Sequence, residues 1–144
     1  MHQENYLNLM DQLTNSCQSD PYYQSACYLL SYDDDLYNVA QPYVGLHDGK
    51  GIDFDSISAK LPDHFGPSAP EEKIVDLAYN LFTAGRHPSH VTFQQMSELS
   101  CPWPELITNS MFIAKEQAQI VSNANGLSVD FSRYQRIKSI YMSM

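Results

Sequence analysis

Basic residues are scarce in this chain. Eight Lys and Arg stand against seventeen Asp and Glu, giving a formal charge of −9. Nucleic acid and anionic membrane both select for a basic face, so neither is expected as the main partner. No apolar run is long enough to span a bilayer, and the opening Met-His-Gln-Glu-Asn has none of the features of an export signal. A cytoplasmic protein is expected. Cysteine is sparse and odd in number. Cys17, Cys27 and Cys101 lack paired spacing and read as reduced thiols. Glycine-rich phosphate loops, a dinucleotide fingerprint, G-x-S-x-G and H-E-x-x-H are all missing. The chain leans away from catalysis, and no cofactor is expected.

What is present describes one globular unit. In 144 residues, 43% are apolar and 12% aromatic, enough for a single domain with a real core. The acids are unevenly placed. Residues 1–64 hold ten of them and only two bases, Lys50 and Lys60, so electrostatic steering belongs to this part.

Start and stop signals predict helices throughout. A first helix over 3–17 presents Tyr6, Leu9, Met10, Leu13 and Cys17 on one side. Asp20-Pro21 caps a second, to about Ser31, with Tyr23, Ala26, Cys27 and Leu30 inward. Asp33 or Asp34 caps a third, carrying Leu36, Tyr37, Val39 and Ala40. Asp53 or Asp55 caps a brief one through Ile57 to Leu61, and Pro62–Pro67 reads as a linker. The helix 69–84 carries the fullest set of signals. Ser68 and Glu71 form a capping box, and Ile74, Leu77, Ala78, Leu81 and Phe82 share one face. Gly85 closes it. Thr92 and Gln95 open a helix holding Phe93, Met96 and Leu99, and a long apolar helix follows over 105–123. The expected fold is all-α, a single compact domain of about six or seven helices around a central buried helix 69–84. Residues 1–126 form that domain. Residues 127–144 are a docked helix or a tail, in which Leu127, Val129 and Phe131 alternate like a strand and Arg133, Arg136 and Lys138 follow with helical character.

Two patterns carry a resemblance. Gln3-Glu4-Asn5-Tyr6 is followed by Asp20-Pro21 and Ala26-Cys27-Tyr28-Leu29-Leu30. Asp35-Leu36-Tyr37 is followed by Leu77-Ala78-Tyr79-Asn80-Leu81-Phe82. Over residues 3–120 the chain resembles a family of small all-helical proteins of unknown function from low-GC Gram-positive bacteria and their phages and mobile elements. The resemblance implies a helical fold and a phage or prophage setting. It brings no activity and no catalytic residues.

Four constellations bear on chemistry. Asp33-Asp34-Asp35 with Asp48, Asp53 and Asp55 offers oxygen ligands for a hard cation, but an EF-hand register on Gly51 puts Leu46 and Ile57 at ligating positions. Helix caps and turns explain the same aspartates more simply. His87, His90 and Cys101 fall short of the four ligands of a structural zinc site and sit among prolines. Cys17 and Cys27 lie on apolar helix faces, where thiols pack as small hydrophobes. The fourth is tyrosine beside aspartate, since residues 22–43 hold six of the ten tyrosines. Tyr anchors suit interfaces. The leading reading is therefore a non-enzymatic protein-interaction module whose surface, around 20–55, uses Tyr22, Tyr28, Tyr32, Asp33, Asp34, Asp35 and Asp48 against a basic partner. In a phage setting, an anti-CRISPR-like inhibitor of a host defence enzyme is one version. The alternative is a metal-dependent hydrolase using Asp33/Asp34/Asp35 and Asp48/Asp53/Asp55, with His47 or His64. A homodimer through the 105–123 helix is also expected, because that helix is apolar over more than one face.

Overall fold

A computed structural model covers Met1–Met144. Its elements, in chain order, are α1 (His2–Asp11), α2 (Asn15–Gln18), α3 (Pro21–Leu30), α4 (Asp34–Ala40), α5 (Phe54–Phe65), α6 (Pro70–Phe82), α7 (Phe93–Ser97), α8 (Trp103–Ala114), β1 (Gln119–Asn123), β2 (Gly126–Asp130) and α9 (Ser132–Met142), with a 3-10 turn at Gln41–Tyr43.

The molecule is built around α3. Asp20 accepts the Tyr22 amide at 2.8 Å and Pro21 takes the first helical position, where no N–H is needed. From Ser25 to Leu30 all six side chains are buried. At about 100° per residue, six consecutive positions cover the whole circumference, so this helix is enclosed on every side. Helices α1, α2, α4, α6 and α8 surround it. The expectation that 69–84 would be the centre is corrected. On α6, Ile74, Val75 and Ala78 are fully buried, but Leu77, Leu81 and Phe82 are only partly so. That helix forms one wall of the core.

Its start differs as well. Ser68 takes a left-handed φ of +59° and makes no cap, while Ala69 stands at the cap position without a side-chain bond. The reason is Pro70, which forces the residue before it out of the helical region. The cap is therefore Ala69. At the other end, Ala84 (φ +53°) takes the left-handed position. The Gly85 amide donates back to Asn80 and the Ala84 amide to Leu81, a Schellman closure placed one residue before the glycine.

The expected linker at Pro62–Pro67 belongs largely to α5, which runs on to Phe65 and ends at Gly66. Pro62 removes one amide, whose acceptor would have been the Ser58 carbonyl. Ser58 is exposed, so water can take that bond. The first helix, expected over 3–17, breaks into α1 and α2, with Thr14 capping the second through the Cys17 amide.

The all-α expectation is overturned in the last third. The helix expected over 105–123 ends at Ala114, where Glu116 adopts φ +59° and the Gln117 amide returns to the Phe112 carbonyl at 3.0 Å. The chain then forms an antiparallel hairpin, β1 against β2, in register from Gln119↔Asp130 to Asn123↔Gly126. The protein is mostly helical with a two-stranded sheet. Residues 127–144 are not a loose tail. Phe131 and Tyr134 meet the ring of Phe112 edge-on at 5.5 and 4.7 Å, and the Tyr134 amide donates to the Gln117 carbonyl. Part of the apolar excess assigned to a dimer is thus covered within the chain.

Candidate functional site

The aspartates expected to form a binding face are placed first by backbone needs. Asp33 caps α4 by accepting the Leu36 amide at 3.0 Å. Asp34 accepts from the Met1 ammonium group at 2.8 Å and from Asn5 Nδ2 at 2.7 Å. Those two bonds hold its carboxyl below the ordinary carboxylate range. Asp35 lies in the first turn of α4, where the helix dipole favours it. Asp53 caps α5, accepting the Ser56 hydroxyl at 2.6 Å and the Ser56 amide at 3.1 Å, which lowers its pKa. Asp48 is exposed at φ +55° in the turn that Gly45, Gly49 and Gly51 complete. That turn is pinned to the core. Tyr23 accepts the Gly51 amide at 2.9 Å, and Gln12 donates to the carbonyls of Gln41 and Val44.

The tyrosines divide. Tyr28 is buried, with Asn109 Nδ2 donating to its hydroxyl at 3.1 Å, and burial raises its pKa. It cannot contact a partner, and its assignment to the binding face is withdrawn. The full burial of α3 is the reason. Tyr32 is half-buried, edge-on to Trp103 at 5.2 Å and to His2 at 5.3 Å. Tyr22 is likewise half-buried. Met1, His2, Tyr32, Asp33, Asp34 and Asp35 share one open concavity, so this part of the expected face does come together. Asp48 does not line it.

No three His, Cys, Asp or Glu side chains converge where a metal ion could be held. His87 instead meets Asp76 at 2.8 Å and stacks on Tyr79 at 3.8 Å between ring centres. Ser89 donates to the other oxygen of Asp76 at 2.6 Å. Asp76 thus fastens the loop after α6 to the helix itself. Cys101 and His90 are exposed and outside this arrangement.

Periodicity did not reveal the largest apolar concavity. Helices α6, α7 and α8 enclose a groove of about 560 Å³, floored by Leu29 and walled by Leu77, Leu81, Val91, Phe93, Met96, Ile107 and Met111. Phe93, expected with Met96 and Leu99 on the helix that Thr92 opens, is 83% exposed, and Met111 beside it is 47% exposed. The capping box of Thr92 and Gln95 forms as predicted, but it opens a helix of five residues, too short to bury a whole face. Three of the four polar side chains in the lining already donate within the chain. Asn80 donates to the His87 carbonyl, Ser89 to Asp76, and Ser110 to the Ile107 carbonyl. Recognition here rests on apolar contact and shape.

Compared with protein-family models, with curated proteins and with solved structures, the chain matches none.

Proposed function

We propose that the protein is a protein-binding module, and that its partner presents an amphipathic helix with basic flanks. The observation carrying this reading is the groove between α6, α7 and α8, with Phe93 standing 83% exposed in its lining. Helices laid into apolar grooves are a recurring mode of recognition, and a large exposed aromatic is the usual form of an anchor. Asn80, Ser89 and Ser110 already donate within the chain, which leaves the lining mainly apolar. Charge supports a basic partner. The elements from α6 to α8 carry Glu71, Glu72, Asp76, Glu98 and Glu105 against Lys73 and Arg86, and the whole chain is at −9. The acidic face of Tyr32, Asp33, Asp34 and Asp35, with Tyr22 and Asp48 outside that concavity, adds long-range attraction rather than the anchor.

The test is capture with purified protein, followed by titration of the recovered partner against variants. Met111→Glu and Phe93→Glu place a charge in the groove and should abolish binding while leaving the helical circular dichroism unchanged. Asp33/Asp34/Asp35→Asn should slow association and flatten its dependence on salt, with a smaller effect on dissociation. A partner that binds both groove variants as it binds the parent chain would refute the docking site, and failure to recover any partner would leave the reading without support.

A further inference from the structure

A second cavity, of about 370 Å³, opens between α1, α3 and the hairpin and shares no residue with the apolar groove. Its character is the reverse. Tyr6 lies in it at only 6% exposure, and burial raises the pKa of its hydroxyl with no hydrogen bond to offset the rise. Tyr6 is among the residues lining the cavity, and its hydroxyl is not one of the fully enclosed oxygens of the chain that lack a partner. A buried tyrosine ordinarily finds a partner for that group. Gln24, also in the lining, donates its amide nitrogen to the Gln18 carbonyl at 2.8 Å and leaves its amide oxygen free. Glu116 and Arg133 complete the polar wall, and neither belongs to the chain's ion pairs, which are Met1–Asp34 and His87–Asp76. The Glu116 and Arg133 side chains are both solvent-exposed, and Glu116 is the left-handed residue just after α8.

We propose that this cavity binds a small zwitterion of the amino acid or dipeptide class. A singly charged ligand would meet one attractive and one repulsive group, whereas a zwitterion satisfies both. Arg133 takes the carboxylate, with the geometric advantage of a planar donor pair. Glu116 takes the ammonium group. The Tyr6 hydroxyl donates from the floor, and Ile113 and Ile120 supply apolar walls. The cavity volume sits near the lower end of the ~300–1,000 Å³ usual for small-molecule sites, which favours one or two residues over a longer peptide.

The experiment is calorimetric titration of the full chain with alanyl-alanine, its N-acetyl form and its C-terminal amide, together with free alanine. Alanyl-alanine or alanine should bind saturably, and blocking either end should weaken binding about tenfold or more, as expected for loss of a charge-assisted hydrogen bond. Arg133→Gln should erase the preference over the amide, and Glu116→Gln the preference over the acetylated form. Tyr6→Phe should keep thermal stability, since its hydroxyl has no partner in the chain, yet weaken binding about tenfold. Absence of saturable binding at millimolar ligand would mean that the cavity holds water alone and would overturn the proposal. So would binding that all three variants leave unchanged.

Discussion

Shortening one leucine on α3 tests whether that helix is the hub. Leu30 is fully buried on a helix enclosed on all sides, whereas Leu77 on α6 is partly open to the apolar groove. Leu→Ala removes three carbons, worth about 2.4 kcal/mol at ~0.8 kcal/mol per buried methylene. The cavity left behind adds to this, bringing fully buried sites to about 2–5 kcal/mol. Leu30→Ala should fall in the upper part of that range, because five helices hold α3 in place and limit collapse into the space. For a chain of this length the matching drop in melting temperature is about 3 °C per kcal/mol. Leu77→Ala should cost less than half as much, since part of its surface is already wet and its loss widens an open groove. Urea denaturation of both variants measures this, provided the slope against denaturant stays constant so that the midpoint reports stability alone. Equal costs at the two positions would refute the reasoning. A Leu30→Ala cost below about 1 kcal/mol would do so as well, because it would show that α3 is not tightly enclosed.

Three further outcomes are expected. A thiol reagent should label Cys101 rapidly in the folded protein and reach Cys17 and Cys27 only on unfolding, because both are buried and burial pushes the Cys27 thiol up to about 12; fast labelling of Cys27 would contradict its placement. Acid should weaken the fold through Asp53 and Asp130, whose carboxyls are held below their ordinary 3.8 by serine hydroxyl and amide donors. Their contribution is complete above that value and lost as pH falls through the lower folded ones, so Asp53→Asn should flatten the stability profile only below about pH 4. Gly45→Ala should destabilise strongly, since a Cβ there would press on the Gln12 carbonyl from a backbone at φ +75°, while Gly85→Ala, at φ +86° with open space around it, should cost only the ~1–2 kcal/mol of the left-handed conformation. Similar melting points for the two alanine variants would argue against the close approach at Gly45.

Most of the caps were legible in the sequence, the Ser68–Glu71 box being the exception that Pro70 overrides. Asp20-Pro21, Asp33, Asp53 and the Thr92–Gln95 box all act where their spacing places them, because each is a local bond between a side chain and an amide two or three residues away. The end of α8 was not legible. Ala118, Ile120 and Val121 fit a helical face as well as a strand, and the residue that reverses the chain is Glu116, which carries no left-handed preference. Pairing with Leu127 to Asp130 decides the matter, and that contact is invisible to a periodicity read along 105–123. The alternation of Leu127 and Val129 did signal β2. The tyrosine face was half legible. Asp33 to Asp35 do gather beside Tyr32, but one apolar stripe could not show that α3 is enclosed all round and takes Tyr28 with it. Both cavities lay beyond the sequence, because each joins elements separated by tens of residues.

The enclosure of α3 also sets when the chain can fold during its synthesis. Residues 21–30 emerge early, yet one side of that helix waits for α8, and the hydroxyl of Tyr28 waits for an amide 81 positions downstream. Until residue 114 has been made, the contacts between α3 and α8 cannot form. The burial of α3 is thus a property of the finished chain, completed only when α8 packs against it.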